Sequence, residues 1–170
     1  MKRILLTLSC ALSALLPAHA NASSWQAWFQ WAGYQSARSG IRITFPSACR
    51  PDQAAGYILS SKTIFLCPES LARGEAYAAE ALAHEAVHAA QHCVALRLGQ
   101  SGLISIGSLL ATHGHGTNLL VLAQQTIASK GDVIRASAKG NPQLLLVEAE
   151  AYALEDHPTQ AIQVMSAVCQ

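Results

Sequence analysis

The chain has no excess of basic residues: 11 Lys and Arg stand against 10 Asp and Glu in 170 residues. Nucleic acids are held largely by neutralising phosphates, so a nucleic-acid partner is not expected. Charged residues make up only 12% of the chain, but hydrophobic residues make up 51%, which argues for a globular fold over a disordered one. Beyond residue 22 there is no uninterrupted apolar run of the ~18 residues a membrane helix needs, so stable membrane insertion of the mature chain is not expected. None of the cysteines forms a CxxC pair, which weakens a cysteine-zinc reading. Internal repeats and low-complexity tracts are absent too. The length suits one domain of roughly 100–200 residues.

The first 22 residues read as a secretory signal. Lys2 and Arg3 precede an apolar stretch from Ile4 to Leu16. Ala18-His19-Ala20 and Ala20-Asn21-Ala22 then supply small-x-small cleavage patterns. The expected organisation is a signal over 1–22 and a single domain over 23–170, exported to the periplasm or the extracellular space. Cys49, Cys67, Cys93 and Cys169 remain in the mature part, an even number in an oxidising compartment, so disulfides are expected. Pairing Cys49 with Cys67 closes a short β-rich segment and leaves Cys93 with Cys169 to fasten the C-terminus.

The local pattern predicts an α+β, mainly α-helical domain. Aromatics at Trp25, Trp28, Phe29 and Trp31 fit a helix capped by Ser23-Ser24 and running to about Arg38. Ile41–Phe45 alternates as a strand, and residues 56–67 read as a hairpin turning at Ser60-Ser61-Lys62. Ala, Glu and Leu dominate from Glu75 to Leu98, the strongest helical composition in the chain. Residues 103–129 read as a helix broken at His113-Gly114-His115-Gly116, and 131–141 as a loop or short helix. Another helix is expected from Pro142 to Asp156. Thr159 is the expected cap of a last one ending at Cys169.

The strongest helix contains His84-Glu85-Ala86-Val87-His88, an HExxH match. Imidazoles four residues apart share a helical face and can reach one Zn²⁺ at about 2.0–2.1 Å. Glu85 stands beside the first imidazole, where a general base for metal-activated water belongs. A catalytic zinc site needs a third protein ligand and an open position. The candidates are Glu148, Glu150, His92, His113, His115 and His157. His92 lies two turns beyond His84, too far along the helix to share its metal, and His157 before Pro158 reads as a helix C-terminal residue interacting with the dipole. Glu148 and Glu150 project about 200° apart on a helix, so only one can face the metal. Tyr77 and Glu80 read as packing and solvated-face residues. His113 and His115 stay open between an oxyanion donor, an accessory metal site and an exposed turn.

HExxH followed by Glu148-Ala149-Glu150-Ala151-Tyr152 resembles the zincin metallopeptidases of the gluzincin type, small minigluzincin-like families included. In these a glutamate on a later helix opens an ExxA motif, matched here by Glu148 to Ala151. The resemblance implies a small zincin-like fold with a β hairpin before the active-site helix. It also implies Zn²⁺ on His84, His88 and Glu148, with Glu85 as base and a peptide or protein as substrate. Zincins bind an extended peptide along a sheet edge, here expected at Thr63–Leu66. The chain departs from the family at Tyr152, where an Asp or Asn orients a ligand histidine. Tyr152 is a catalytic candidate instead, as a hydrogen-bond donor to substrate or metal-activated water. Two other readings remain: a non-catalytic secreted helical binding module on the same scaffold, and a metal hydrolase that does not cut peptides.

Overall fold

The computed structural model describes residues 25–112 and 117–170. The signal segment, the Ser23-Ser24 cap, His113 and His115 lie outside the described residues. The architecture is mainly helical with one small sheet, in the order α1 (Trp25–Arg38), β1 (Arg42–Thr44), β2 (Ala55–Ile58), a 3₁₀ turn (Leu59–Ser61), β3 (Thr63–Leu66), α2 (Pro68–Ala72), α3 (Glu75–Arg97), α4 (Ile106–Thr112), α5 (Thr117–Ser137), α6 (Pro142–Glu155) and α7 (Pro158–Cys169). No helix among the described residues is long and apolar enough to cross a membrane.

Helix α3 is the axis of the fold. Ala78, Ala79, Ala83, Ala86, Ala89, Ala90 and Ala95 are fully buried along it, together with Leu82, Val87 and Val94. A helix apolar on most of its circumference belongs inside, and alanine lets neighbouring helices approach closely. It packs against α6, α7 and the sheet. Helix α1 reaches the same core through Trp28, whose Nε1 donates to Thr159 Oγ1 at 3.1 Å. Thr159 therefore does not cap α7, contrary to expectation. His157 occupies the N-cap position without a side-chain cap bond, and Pro158 supplies the preset φ of the first turn.

The sheet order is β1-β3-β2, with β1 parallel and β2 antiparallel to β3. Thr63–Leu66 is thus the central strand and not the edge strand that its position before the helix suggested. The reason is legible in its side chains: Ile64 and Leu66 are both fully buried and Thr63 nearly so, the run of a strand covered on both faces. Between β2 and β3 the chain turns through the 3₁₀ segment and Lys62, which adopts a left-handed φ of 49°.

The expectation of a break after residue 129 also fails. Helix α5 kinks at Lys130 (φ −116°, ψ 21°) but continues through Gly131 to Ser137. Glycine costs a helix only about 1 kcal/mol, while Ile134 is wholly buried against α6, a gain of about 1.5–3 kcal/mol.

The disulfides pair Cys49 with Cys67 (Cα–Cα 5.8 Å) and Cys93 with Cys169 (Cα–Cα 5.2 Å). The first secures the loop leading into β2 to the end of β3. The second joins α3 to the last residue of α7 across a separation of 76 residues. In the chain-entropy account the two closures contribute about 3 and about 4.5 kcal/mol respectively.

Candidate metal centre

Helix α3 presents His84 and His88 on one face, their rings 4.9 Å apart and nearly perpendicular. Helix α6 crosses this face and delivers Glu148 between them. Its carboxylate lies 3.5 Å from His84 Nε2 through Oε2 and 3.7 Å from His88 Nε2 through Oε1. Among the described residues these three side chains form one group whose donor atoms all lie within 4.8 Å of one another. Ligands around a tetrahedral zinc at about 2.05 Å stand about 3.3 Å apart, so a small contraction of this group suits the ion. The donor set, two neutral nitrogens and one carboxylate oxygen, is also zinc's chemistry.

The electrostatics tie Glu148 to His84. Burial alone would raise the Glu148 carboxyl, but hydrogen bonding to His84 and the nearness of the His88 ring hold it down at about 2. Burial alone would lower His84, yet the hydrogen bonds it donates to Glu148 and Glu155 lift it to about 9.

Each histidine is gripped from behind. His84 Nδ1 lies 3.3 Å from Glu155 Oε2, and Glu155 Oε1 accepts from Lys130 Nζ at 2.8 Å. Burial raises the Glu155 carboxyl, but these two cationic partners bring it below its ordinary range. The kink at Lys130 sets that lysine against the end of α6, where it also meets Asp156 Oδ2 at 3.5 Å. His88 Nδ1 lies 2.8 Å from Gln91 Oε1, and Gln91 Nε2 donates to Val147 O and to Glu150 Oε2, both at 2.9 Å. Glu150, the rival third ligand, points away from the histidine pair. It is fully buried and accepts from Ser105 Oγ, Ile106 N and Gly107 N. Neither Glu155 nor Gln91 emerged from the sequence as a support. The signals were their spacings, seven after Glu148 and three after His88, each returning to the face already in use.

Tyr152 sits one turn after Glu148 and sets its ring edge against His84 at a centroid distance of 4.6 Å. Its hydroxyl pairs with Ser137 Oγ at 3.0 Å. It therefore packs on a candidate ligand while its polar end is held by α5. His92 turns to the sheet, with Nδ1 2.9 Å from the Tyr57 hydroxyl. His157 is the N-cap of α7 and not the C-terminal residue of the helix before it, which ends at Glu155 with Asp156 as its cap, and it takes no part in the group.

The group opens into a cleft of about 860 Å³. Glu85 lines it beside the histidines, half-buried. Tyr77 and Glu80 line it as well, and so face the cleft instead of serving only as packing and outer surface. Burial, then Asp156 and Glu155, push Glu80 upward. The lining also includes Ala54 and then Ala55 and Gly56, the start of β2, which among the described residues has a strand partner on one side only. The free edge next to the site thus belongs to β2 and not to Thr63–Leu66.

Comparison with known proteins finds no matching family model, no matching curated protein and no matching solved structure.

Proposed function

We propose that this chain is an exported zinc-dependent hydrolase on a small zincin-like fold, cutting peptide bonds. The observation that carries the proposal is the convergence of His84, His88 and Glu148 within 4.8 Å at the floor of a cleft that also holds Glu85. The Nε2 atoms of His84 and His88 and the Glu148 carboxylate would hold the ion. Bound zinc would supply Lewis acidity, lowering the pKa of water from 15.7 toward about 7 and polarising a carbonyl.

The chain's own groups do the rest. The Glu85 carboxylate takes a proton from the attacking water and passes it to the nitrogen of the leaving amine. The free edge of β2 can receive an extended peptide as an added strand, with Ala55 turning its backbone groups outward and Gly56 beside it carrying no side chain. Gly56 is needed there for packing too, because a Cβ would stand 2.4 Å from the Phe65 ring paired with it across the sheet. The signal pattern of residues 1–22 and the two disulfides support export to the periplasm or beyond the cell.

Glu85→Gln tests the reaction. The variant should retain zinc and lose about 10²–10⁴-fold in turnover on a mixed peptide library. A wild-type protein that binds zinc but cuts no peptide would leave a binding module or a hydrolase of esters or glycans, which the corresponding substrate libraries separate. Equal peptide turnover in wild type and variant would remove Glu85 from the mechanism.

A further inference from the structure

We infer that Gln91 and Glu150 are positioning residues that fix the tautomer of His88, so that its Nε2 lone pair is always turned toward the metal position. The inference rests on the reading of His88 as a zinc ligand. It goes beyond that reading by assigning a task to the buried carboxylate that the metal group leaves unused.

The chain of reasoning starts at Glu150. Its four hydrogen-bond partners among the described residues are all donors: Ser105 Oγ at 2.5 Å and Gly107 N at 2.7 Å to Oε1, Ile106 N at 3.0 Å and Gln91 Nε2 at 2.9 Å to Oε2. Ser105 Oγ already accepts from Ser108 N at 3.0 Å, so its own hydrogen is free to go to Glu150. A carboxylate with every lone-pair direction occupied cannot rotate or donate. The Gln91 amide is fixed in turn. Both hydrogens of Nε2 are used, one on Glu150 and one on Val147 O, and a flipped amide would set its oxygen against two acceptors. Gln91 Oε1 must therefore face His88, and an acceptor 2.8 Å from Nδ1 requires Nδ1 to carry the proton. Neutral imidazole has one N–H, so Nε2 is left with its lone pair directed at Glu148, 3.7 Å away. Gln91 and Glu150 are both fully buried, so water cannot substitute for either contact. The approach of α4 depends on Gly107, where a Cβ would lie 3.0 Å from Glu150 Oε1 and 3.0 Å from Leu120 N.

The test uses the full mature protein with zinc alone as the probe, and reads two quantities: the His88 tautomer by nitrogen-proton correlation NMR of the zinc-free protein at alkaline pH, and zinc affinity by competition with a chelating dye. Wild type should show the Nδ1–H form. Glu150→Gln cannot accept from all four donors, so the anchor on Gln91 loosens, the Nε2–H form of His88 should appear beside the Nδ1–H form, and zinc should bind about 10–100-fold more weakly. If Glu150→Gln does not fold, Gln91→Met removes the acceptor while keeping the volume, and should give a mixture of tautomers with weaker zinc binding. An Nε2–H form in wild type overturns the inference. Folded variants with the wild-type tautomer and zinc affinity within twofold of wild type overturn it as well. If wild type binds no zinc, the metal reading fails by itself, and the tautomers of wild type and Gln91→Met still decide the role of the relay.

Discussion

His84 and His88 present the same ring atom to the same carboxylate, yet they are held by opposite means. Behind His84 stand full charges, Glu155 and then Lys130, with the lysine 38% exposed. Behind His88 stands a neutral amide anchored on a carboxylate, both sealed from water. Charge acts at a distance, tolerates imperfect geometry and weakens with salt, whereas a buried amide enforces one arrangement and is indifferent to salt. Under the proposed metal reading the pair divides two requirements of a ligand: His84 gains basicity, and His88 gains orientation.

The largest effect that separates the two arms should come from salt. Glu155→Gln keeps the shape but removes the charge behind His84, and should weaken zinc binding about 10-fold at low ionic strength. The loss should shrink as sodium chloride is raised toward 1 M, where the screening length falls to about 3 Å. Gln91→Met should lose as much at high salt as at low. Chelator titrations across a salt series measure both, and identical salt dependence in the two variants would break the comparison.

A smaller effect should appear in the pH dependence of unfolding. In the zinc-free protein His84 is raised from 6.5 to about 9, so its contribution is complete below pH 6.5 and is lost as pH rises toward 9. Glu148 is lowered from 4.5 to about 2, so its contribution is complete above pH 4.5 and is lost as pH falls toward 2. The two shifts largely describe one shared interaction and are not summed. Stability should therefore be greatest between about pH 4.5 and 6.5, with a loss on the order of 1 kcal/mol on either side, or about 4 °C in Tm. Zinc should reverse the alkaline limb, because the ion binds deprotonated imidazole. Thermal scans with chelator and with excess zinc check the sign. A zinc-saturated protein that still loses stability from pH 6.5 to 9 would speak against His84 as a ligand.

Local chemistry made much of this legible. The helices α1, α3 and α6 follow from apolar spacing, alanine content and Asn141-Pro142, whose side chain accepts from Gln143 N as an N-cap. HExxH names two residues and a face because helical period alone puts His84 and His88 together. What period does not tell is which distant element meets that face. Glu148 and Glu150 were told apart by a resemblance, and it is the packing of α6 between α3 and α4 that separates them here. Glu155 was hidden because the family pattern puts the supporting residue four positions after the glutamate, where this chain has Tyr152. Thr63–Leu66 was misplaced because a hairpin alone has two edges, and only β1, returning in parallel, covers one of them.

The central claim is that one zinc ion is held by His84, His88 and Glu148. Zinc-edge X-ray absorption on the mature protein, with metal-to-protein ratios for wild type and Glu148→Ala, tests it most directly. One zinc per chain with two imidazoles in its first shell, lost or weakened by at least about 100-fold in Glu148→Ala, is the expected result. Unchanged stoichiometry and affinity in that variant, or a first shell containing sulfur, would contradict it.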